Sequence, residues 1–475
     1  MTMAVDRRGF LRDVSLVALA AAGAEMAGCA SFGSSGAMSG FRAAPMPKIR
    51  LGFIGIGERG LAAVSRVTIL PGIESAAFCD LRPERVDLAV KNVTERKLPG
   101  AKRRYEGRED SWKGLCDDPG VDVVYIATPA GLHPRIALYA MRAGKHVLTE
   151  VPASYRIEEL WEIVETSETT RRHCMMLENC CYGEMEMLAL NLCKLGLLGD
   201  LVHGEGAYIH DLRQYNYGTW DDATARSKDT DNAYWNFWRL RHNSQHKGNQ
   251  YTTHGLGPLC WYMDINRGDR FDYLVSLESE QRNFEAYAKA NFPKDWRATH
   301  KVEMGDMNTM LIKTKLGRSI MIQHDVSSPR PYSRINTITG TKGILADYPY
   351  RVGWEEKSGG GVHKFFDEKR AAEVREQYKH PLWKQAGELA KRMGGHGGMD
   401  FLMVLRLAYC LQNGLPLDEN VYDLASWCCL CELSEKSVRS GSEPQSIPDF
   451  TCGGWRTAKP IGDLSIDLGR MGFKA

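Results

Sequence analysis

Residues 48–60 read Lys-Ile-Arg-Leu-Gly-Phe-Ile-Gly-Ile-Gly-Glu-Arg-Gly. A strand-like apolar run ends in Gly55-Ile56-Gly57-Glu58-Arg59-Gly60, and a helical pattern follows over 61–70. A G-x-G-x-x-G alone is a weak signal. Between a strand and a helix it is the fingerprint of a dinucleotide site. The first glycine permits the tight turn. The second lets backbone N–H groups approach a pyrophosphate at the positive end of the helix, and the third lets helix and strand pack closely. The next strand, 74–79, runs into Asp80, 23 residues after Gly57. An acid there accepts hydrogen bonds from a ribose diol and repels a 2′-phosphate, so NAD is the expected cofactor. Arg59 and Arg82 pull the other way, because a nearby arginine accommodates that phosphate.

Strands and helices go on alternating. Residues 121–127, 147–150 and 173–178 read as strands, and 133–143 and 158–169 as helices. This alternation means an α/β fold with a doubly wound parallel sheet, whose ligands lie beyond the carboxyl ends of the strands. Cofactor contacts are therefore expected from Gly55, Gly57, Glu58, Arg59, Gly60 and Asp80. The later strand ends add Ala130, Gly131, Leu132, His133, Glu150, Val151 and Asn179. His133 also reads as a helix-cap residue and Glu150 as a surface turn acid. Farther on, 311–325 reads as two strands turned at Leu316-Gly317, and 213–236 as a long polar loop, the signature of a lid or binding edge.

The 475 residues have room for two domains. With 43% hydrophobic and 25% charged residues the chain is globular, not disordered. A net charge of +2 provides no basic field, which excludes nucleic acid as a partner. No apolar run approaches the about 20 residues that span a bilayer. Thirteen cysteines, without zinc-finger spacing to histidine, read as buried small hydrophobes. His242 and His246 stand i, i+4, but the residues between them are polar and lack a general-base glutamate, so no metal is expected.

The N-terminus reads as an address. Arg7-Arg8 precede Gly9-Phe10-Leu11 and an apolar stretch, 14–24, which resembles the signal for twin-arginine export. Met26-Ala27-Gly28-Cys29 resembles a lipobox, making Cys29 a candidate lipid anchor. The expected organisation is an export signal at 1–28, a flexible tether at 29–47, a NAD-binding domain at 48–180 and a substrate-binding α/β domain at 181–475. The expected location is the periplasm or the envelope.

The strand ends resemble those of the Gfo/Idh/MocA oxidoreductases, which join a Rossmann domain to an α/β domain with a large, open, mainly antiparallel sheet. Their fifth strand ends in Glu-Lys-Pro, and its lysine helps catalysis. Here the tripeptide is Glu150-Val151-Pro152, and valine transfers no proton. The blocks 173–182, 207–213, 238–241, 248–258, 264–270 and 395–400 are similar to glycoside hydrolase family 109, with Thr252 where that family commonly has proline. The resemblance implies an α-N-acetylgalactosaminidase whose NAD stays bound. It implies oxidation at sugar C3, loss of the C2 proton with elimination at C1, water addition and re-reduction, with anomeric retention and no net redox change. NAD-dependent glycosidases stand outside the two-carboxylate scheme. An exported NAD(P)-dependent sugar dehydrogenase of the same fold is the rival reading.

His254, Tyr251 and Tyr182 are the candidate catalytic residues. An imidazole suits proton removal and a phenol suits proton relay, although each also reads as a core residue. Substrate contacts are expected from Tyr208, Arg239, Tyr251, Thr252, Thr253, His254 and Tyr332. Arg239 reads equally as a surface ion pair. His396 and Asp400, i, i+4 after glycines, either face the site or simply begin a helix. A carbohydrate or glycan substrate and a homo-oligomer complete the expectations.

Overall fold

The computed structural model describes residues 36–218, 220–221, 226–227, 234–356 and 362–473. The export signal, Arg7-Arg8 and Cys29 lie outside the described residues. Six parallel strands, β1 Ile49–Ile54, β2 Ile73–Asp80, β3 Arg103–Glu106, β4 Val123–Ile126, β5 His146–Thr149 and β6 Cys174–Met176, form a sheet in the order β3-β2-β1-β4-β5-β6. Every residue of β4 and β5 is buried, as a parallel sheet covered on both faces requires.

A second sheet follows. Its strands are β7 Leu201–Ile209, β10 Phe271–Glu278, β11 Asn308–Thr314, β12 Ser319–Asp325, β13 Thr337–Gly340, β14 Gly343–Ala346, β15 Arg351–Trp354 and β16 Gln445–Ser446. They are ordered β15-β14-β13-β7-β12-β11-β10-β16. Only the β7–β12 pair is parallel. A short pair, β8 Trp220–Asp221 and β9 Arg226–Ser227, stands apart. Burial along β11 alternates, the mark of a sheet covered on one face.

The helix Thr253–Tyr262 covers β7 at close range. A Cβ on Gly206 would lie 2.1 Å from the Gly255 carbonyl oxygen, so only glycine lets the helix settle this near the strand. The helix Val421–Arg439 lies between the two halves, against β10 and against the helix Ile157–Thr170 of the first. The sheets thus share one packed core, and the strand ends of the first face the helix start of the second.

Residues 36–47 correct the expected tether. Met38 is buried and its backbone N–H donates to Tyr422, Arg171 donates to the Ala37 carbonyl, and Met46 N–H donates to Leu411. The cause is apolar content that a composition rich in small residues conceals: Met38, Phe41 and Met46 find partners on the body.

Candidate active site

The glycine loop has the expected geometry. Gly55 has φ +87°, and a Cβ there would lie 2.6 Å from the Ala127–Thr128 peptide. A Cβ on Gly60 would lie 1.9 Å from the Gly55 carbonyl oxygen. At Gly57, the N-cap of the helix Glu58–Val67, nothing lies within 4 Å of the Cβ position. The turn closes on the first and third glycines and leaves open space at the second, at the start of the helix. This arrangement fits a pyrophosphate. Asp80 ends β2 and accepts from the Ile56 N–H at 2.6 Å and the Arg82 N–H at 2.9 Å, which pins the ribose corner to the loop.

Arg59 is not turned toward a phosphate. Its guanidinium donates to Glu150 at 2.8 Å and to Asp400 at 2.9 Å. Glu150 also accepts from Tyr125 at 2.6 Å. Asp400, at the start of the helix Met399–Asn413, gathers Arg59, Arg66, His396 and the Asn179 amide. Burial would raise its pKa, but His396, Arg59 and Arg66 outweigh burial and hold the carboxyl well below the usual range. The cluster ties the glycine loop, β5 and the end of β6 to the second half of the chain. His133 faces the carbonyls of Thr128 and Pro152 with its two ring nitrogens, so its side chain holds the loop after β4 in place. Val151 is buried at the end of β5. Leu132 is exposed, and a Cβ on Gly131 would meet open space.

The start of the helix Thr253–Tyr262 brings Tyr251 and His254 together, their rings 4.9 Å apart and perpendicular. Tyr208 from β7 lies 4.7 Å from Tyr251 and 5.2 Å from His254. Tyr332 stands 6.2 Å beyond Tyr208. Arg239 stacks 4.8 Å from both the Tyr234 and Tyr251 rings. Burial pushes the Tyr251 phenol well up although Arg239 opposes it, so the group stays protonated. Two residues of this cluster were not among the expected sugar contacts. His210 meets the Tyr208 hydroxyl at 3.2 Å, and His324 stacks on Tyr208 and is pushed down to about 3 by burial and Arg239, which keeps it neutral.

The residue that sequence reasoning missed is Glu178. It is fully buried behind β6, and both its oxygens meet His254 Nδ1, at 2.7 and 2.9 Å. Burial alone would raise its pKa. The electrostatic pull of His254, with hydrogen bonds from His254, Thr253 and the Cys180 N–H, outweighs burial and holds the carboxyl below its ordinary range. An ionised acceptor at Nδ1 fixes the Nδ1–H tautomer and leaves Nε2 as the basic nitrogen. Glu178, Cys180 and His254 also bring ligand atoms within 4.8 Å of one another. Glu178 Oε1 is already used by the Cys180 N–H, and burial pushes the Cys180 thiol well up, so this set reads as a hydrogen-bonded dyad. His242 meets Gln250 and His246 meets Glu435, each with its own partner.

Two site expectations are corrected. Tyr182 has no exposure. Its hydroxyl donates to Asp418 at 3.0 Å and its ring packs on Trp261, because the one-turn helix Asn179–Tyr182 points it into the core. Thr252 is likewise buried, and its hydroxyl donates to the Trp427 carbonyl at 2.7 Å.

Glu419 accepts from the Glu178 N–H at 3.2 Å, and burial together with Glu178 and Asp423 pushes its pKa well up. A carboxyl whose folded pKa is raised is neutral without cost below its unfolded pKa. It penalises folding increasingly as pH climbs toward the folded value. Glu419→Gln is therefore expected to match the wild-type Tm near pH 4.5 and to exceed it by a few degrees at pH 8, read by thermal melts across pH.

Comparison with known proteins gives the same two halves. Residues 49–178 match the oxidoreductase family, NAD-binding Rossmann fold, and residues 182–457 match the glycosyl hydrolase 109 C-terminal domain. Glycosyl hydrolase family 109 protein 1 of Bacteroides fragilis is 44% identical over 424 residues, covering 86% of this chain and 87% of its own. An alpha-N-acetylgalactosaminidase of Shewanella oneidensis is 42% identical over 467 residues, covering 96% and 98%. Among solved structures, levoglucosan dehydrogenase in complex with NADH and levoglucosan shares the fold, with a TM-score of 0.61 at 17% identity over 85% of this chain and 100% of its own. With a dinucleotide loop that fits its cofactor, a histidine–carboxylate dyad beside it, and relatives along nearly the whole chain, this protein belongs to glycosyl hydrolase family 109.

Proposed function

We propose that this glycoside hydrolase removes terminal α-N-acetylgalactosamine from a glycan, with NAD as a resident cofactor and retention at the anomeric carbon. The observation that carries the reading is the Glu178–His254 dyad beside Tyr251, in a chain with a dinucleotide loop and with Val151 after β5 where a lysine would stand. The name of the Shewanella oneidensis relative supports the sugar. NAD held on the glycine loop would supply a hydride acceptor and donor for sugar C3. The C3 hydroxyl proton set free with the hydride passes to water, and the chain itself moves the later protons. A sugar C2–H is acidic only beside a C3 carbonyl, and His254 Nε2 is the base that takes it. Tyr251, kept as a phenol by burial, donates to the oxygen leaving C1. Arg239, Tyr208 and Tyr332 bind the ring and its acetamide.

An aryl α-N-acetylgalactosaminide in D₂O tests this. The expected result is release of the phenol without added cofactor, a retained anomer, and solvent deuterium at C2 of the sugar. Accumulation of NADH with turnover stopping as NAD runs out is the dehydrogenase result. A C2 hydrogen wholly kept excludes the elimination route.

Two further readings accompany the proposal. Arg7-Arg8 and Cys29 support twin-arginine export and a lipid anchor. A cofactor that is restored at each turnover needs no supply of free NAD outside the cytoplasm. Tyr273, Val275 and Leu277 of β10, Leu311 of β11 and Met321 of β12 share the uncovered face of the second sheet, which supports a homo-oligomer. Light scattering reads the assembly, and fractionation of the envelope reads the location.

A further inference from the structure

A cavity of about 470 Å³ begins one residue beyond Asp80. Leu81, Arg82, Pro83 and Glu84, at the corner where β2 turns into the helix Pro83–Glu95, form one wall, and Trp235 and Asn236 form the other. The walls come from opposite halves of the chain. Leu81 is 41% exposed, a large apolar side chain left uncovered beside the cavity. The Arg82 guanidinium lies 4.9 Å from the Trp235 ring centroid, and its backbone is tied to Asp80. Trp235 sits on the one-turn helix Trp235–Phe237. That turn is anchored by fully buried Phe237 and by the Tyr234 N–H, which donates to the Tyr215 carbonyl at 2.9 Å.

This inference rests on the NAD reading above. Asp80 holds the ribose, so the purine attached to that ribose extends away from the glycine loop, into the space walled by Leu81 and Pro83. Its flat apolar faces match an indole on one side and aliphatic side chains on the other. We propose that Trp235 is a clamp, supplied by the second half of the chain, that packs over the adenosine end of the dinucleotide and retains it between turnovers. On a dinucleotide domain alone the adenine would lie in a cleft open to solvent. Here it leaves only when the turn carrying Trp235 moves aside. Slow release suits an enzyme that returns its hydride to the same sugar and gains nothing from exchanging cofactor.

The test uses purified full-length protein and reads release, not turnover. NADH is loaded and chased with excess NAD⁺ while its fluorescence is followed, and the affinities for ADP-ribose and nicotinamide mononucleotide are measured separately. Trp235→Ala and Trp235→Leu are expected to release NADH about ten- to a hundredfold faster, the range expected for losing one base–aromatic contact. Both variants should weaken ADP-ribose by a similar factor and leave nicotinamide mononucleotide unchanged. Trp235→Phe keeps a ring and should stay within a few-fold of wild type. Unchanged release and ADP-ribose affinity in the alanine and leucine variants would overturn the clamp and leave the NAD reading standing. Equal loss of both half-ligands would overturn it in favour of a general structural role. A wild type that neither carries nicotinamide nor binds NADH would overturn the NAD reading, and the clamp with it.

Discussion

Replacing His254 with alanine is expected to lower kcat on an aryl α-N-acetylgalactosaminide by about 10²–10⁴-fold, the usual worth of a positioned general base. Bound nicotinamide should be unchanged, since His254 lies on the helix over β7 and not on the glycine loop. The more discriminating variant is Glu178→Gln. It keeps shape and burial but replaces an ionised acceptor with an amide that offers a donor as well as an acceptor. The His254 tautomer is then no longer imposed, and an imidazolium formed during proton transfer loses its counter-charge. A charge-assisted hydrogen bond is worth about 1.5–3 kcal/mol, so kcat should fall roughly ten- to a hundredfold. KM should barely move, because the interaction strengthens only as the proton transfers. The acid limb of the pH–rate profile should also shift in Glu178→Gln. A variant with normal kcat and an unshifted profile would remove Glu178 as the positioning residue.

The second large effect is expected at the glycine loop, where two glycines should fail in different ways. Gly57 has φ −64° and open space beyond its Cβ position, so Gly57→Val should fold with nearly wild-type Tm. Its side chain would occupy the space that a pyrophosphate needs and would hold the phosphate off the backbone N–H groups at the helix start. Retention of nicotinamide should drop by about a hundredfold or more. Gly60→Ala, by contrast, would drive its methyl into the Gly55 carbonyl and should lower Tm whether or not cofactor is present. The checks are nicotinamide content after denaturation and thermal melts of both variants. A Gly57→Val protein that keeps its nicotinamide would show that the dinucleotide does not lie on this loop.

The first domain was legible because its signals are local. The glycine loop, the strand running into Asp80 and the alternation from 121 to 178 are each contained in a short window, and those strands fall within a few residues of where periodicity put them, whereas β3 and the helices Pro83–Glu95 and Ser111–Asp117 were not read. The helix Met399–Asn413 and the β11–β12 hairpin were legible for the same reason. The loop expected at 213–236 is only partly so, since it includes a short helix, Arg213–Tyr217.

The amino-acid sequence by itself determined the dinucleotide half and the lack of lysine at Val151, and it set Tyr251 and His254 three residues apart; their facing rings depend on the turn into the helix, because Tyr251 stands before the N-cap Thr252. Only the tertiary structure decided what His254 is for. Glu178 is 76 positions away, and a glutamate at a strand end carries no mark that it will be buried against an imidazole. The same holds for Arg59, whose place inside the fingerprint points to phosphate but whose charge is taken by Glu150 and by Asp400, 341 residues on. Tyr182 shows the converse: a tyrosine beside a strand end is drawn into the core by Asp418, 236 residues away. Period and spacing are properties of the backbone near a residue, whereas the partner of a buried charge is chosen by the packing of distant elements.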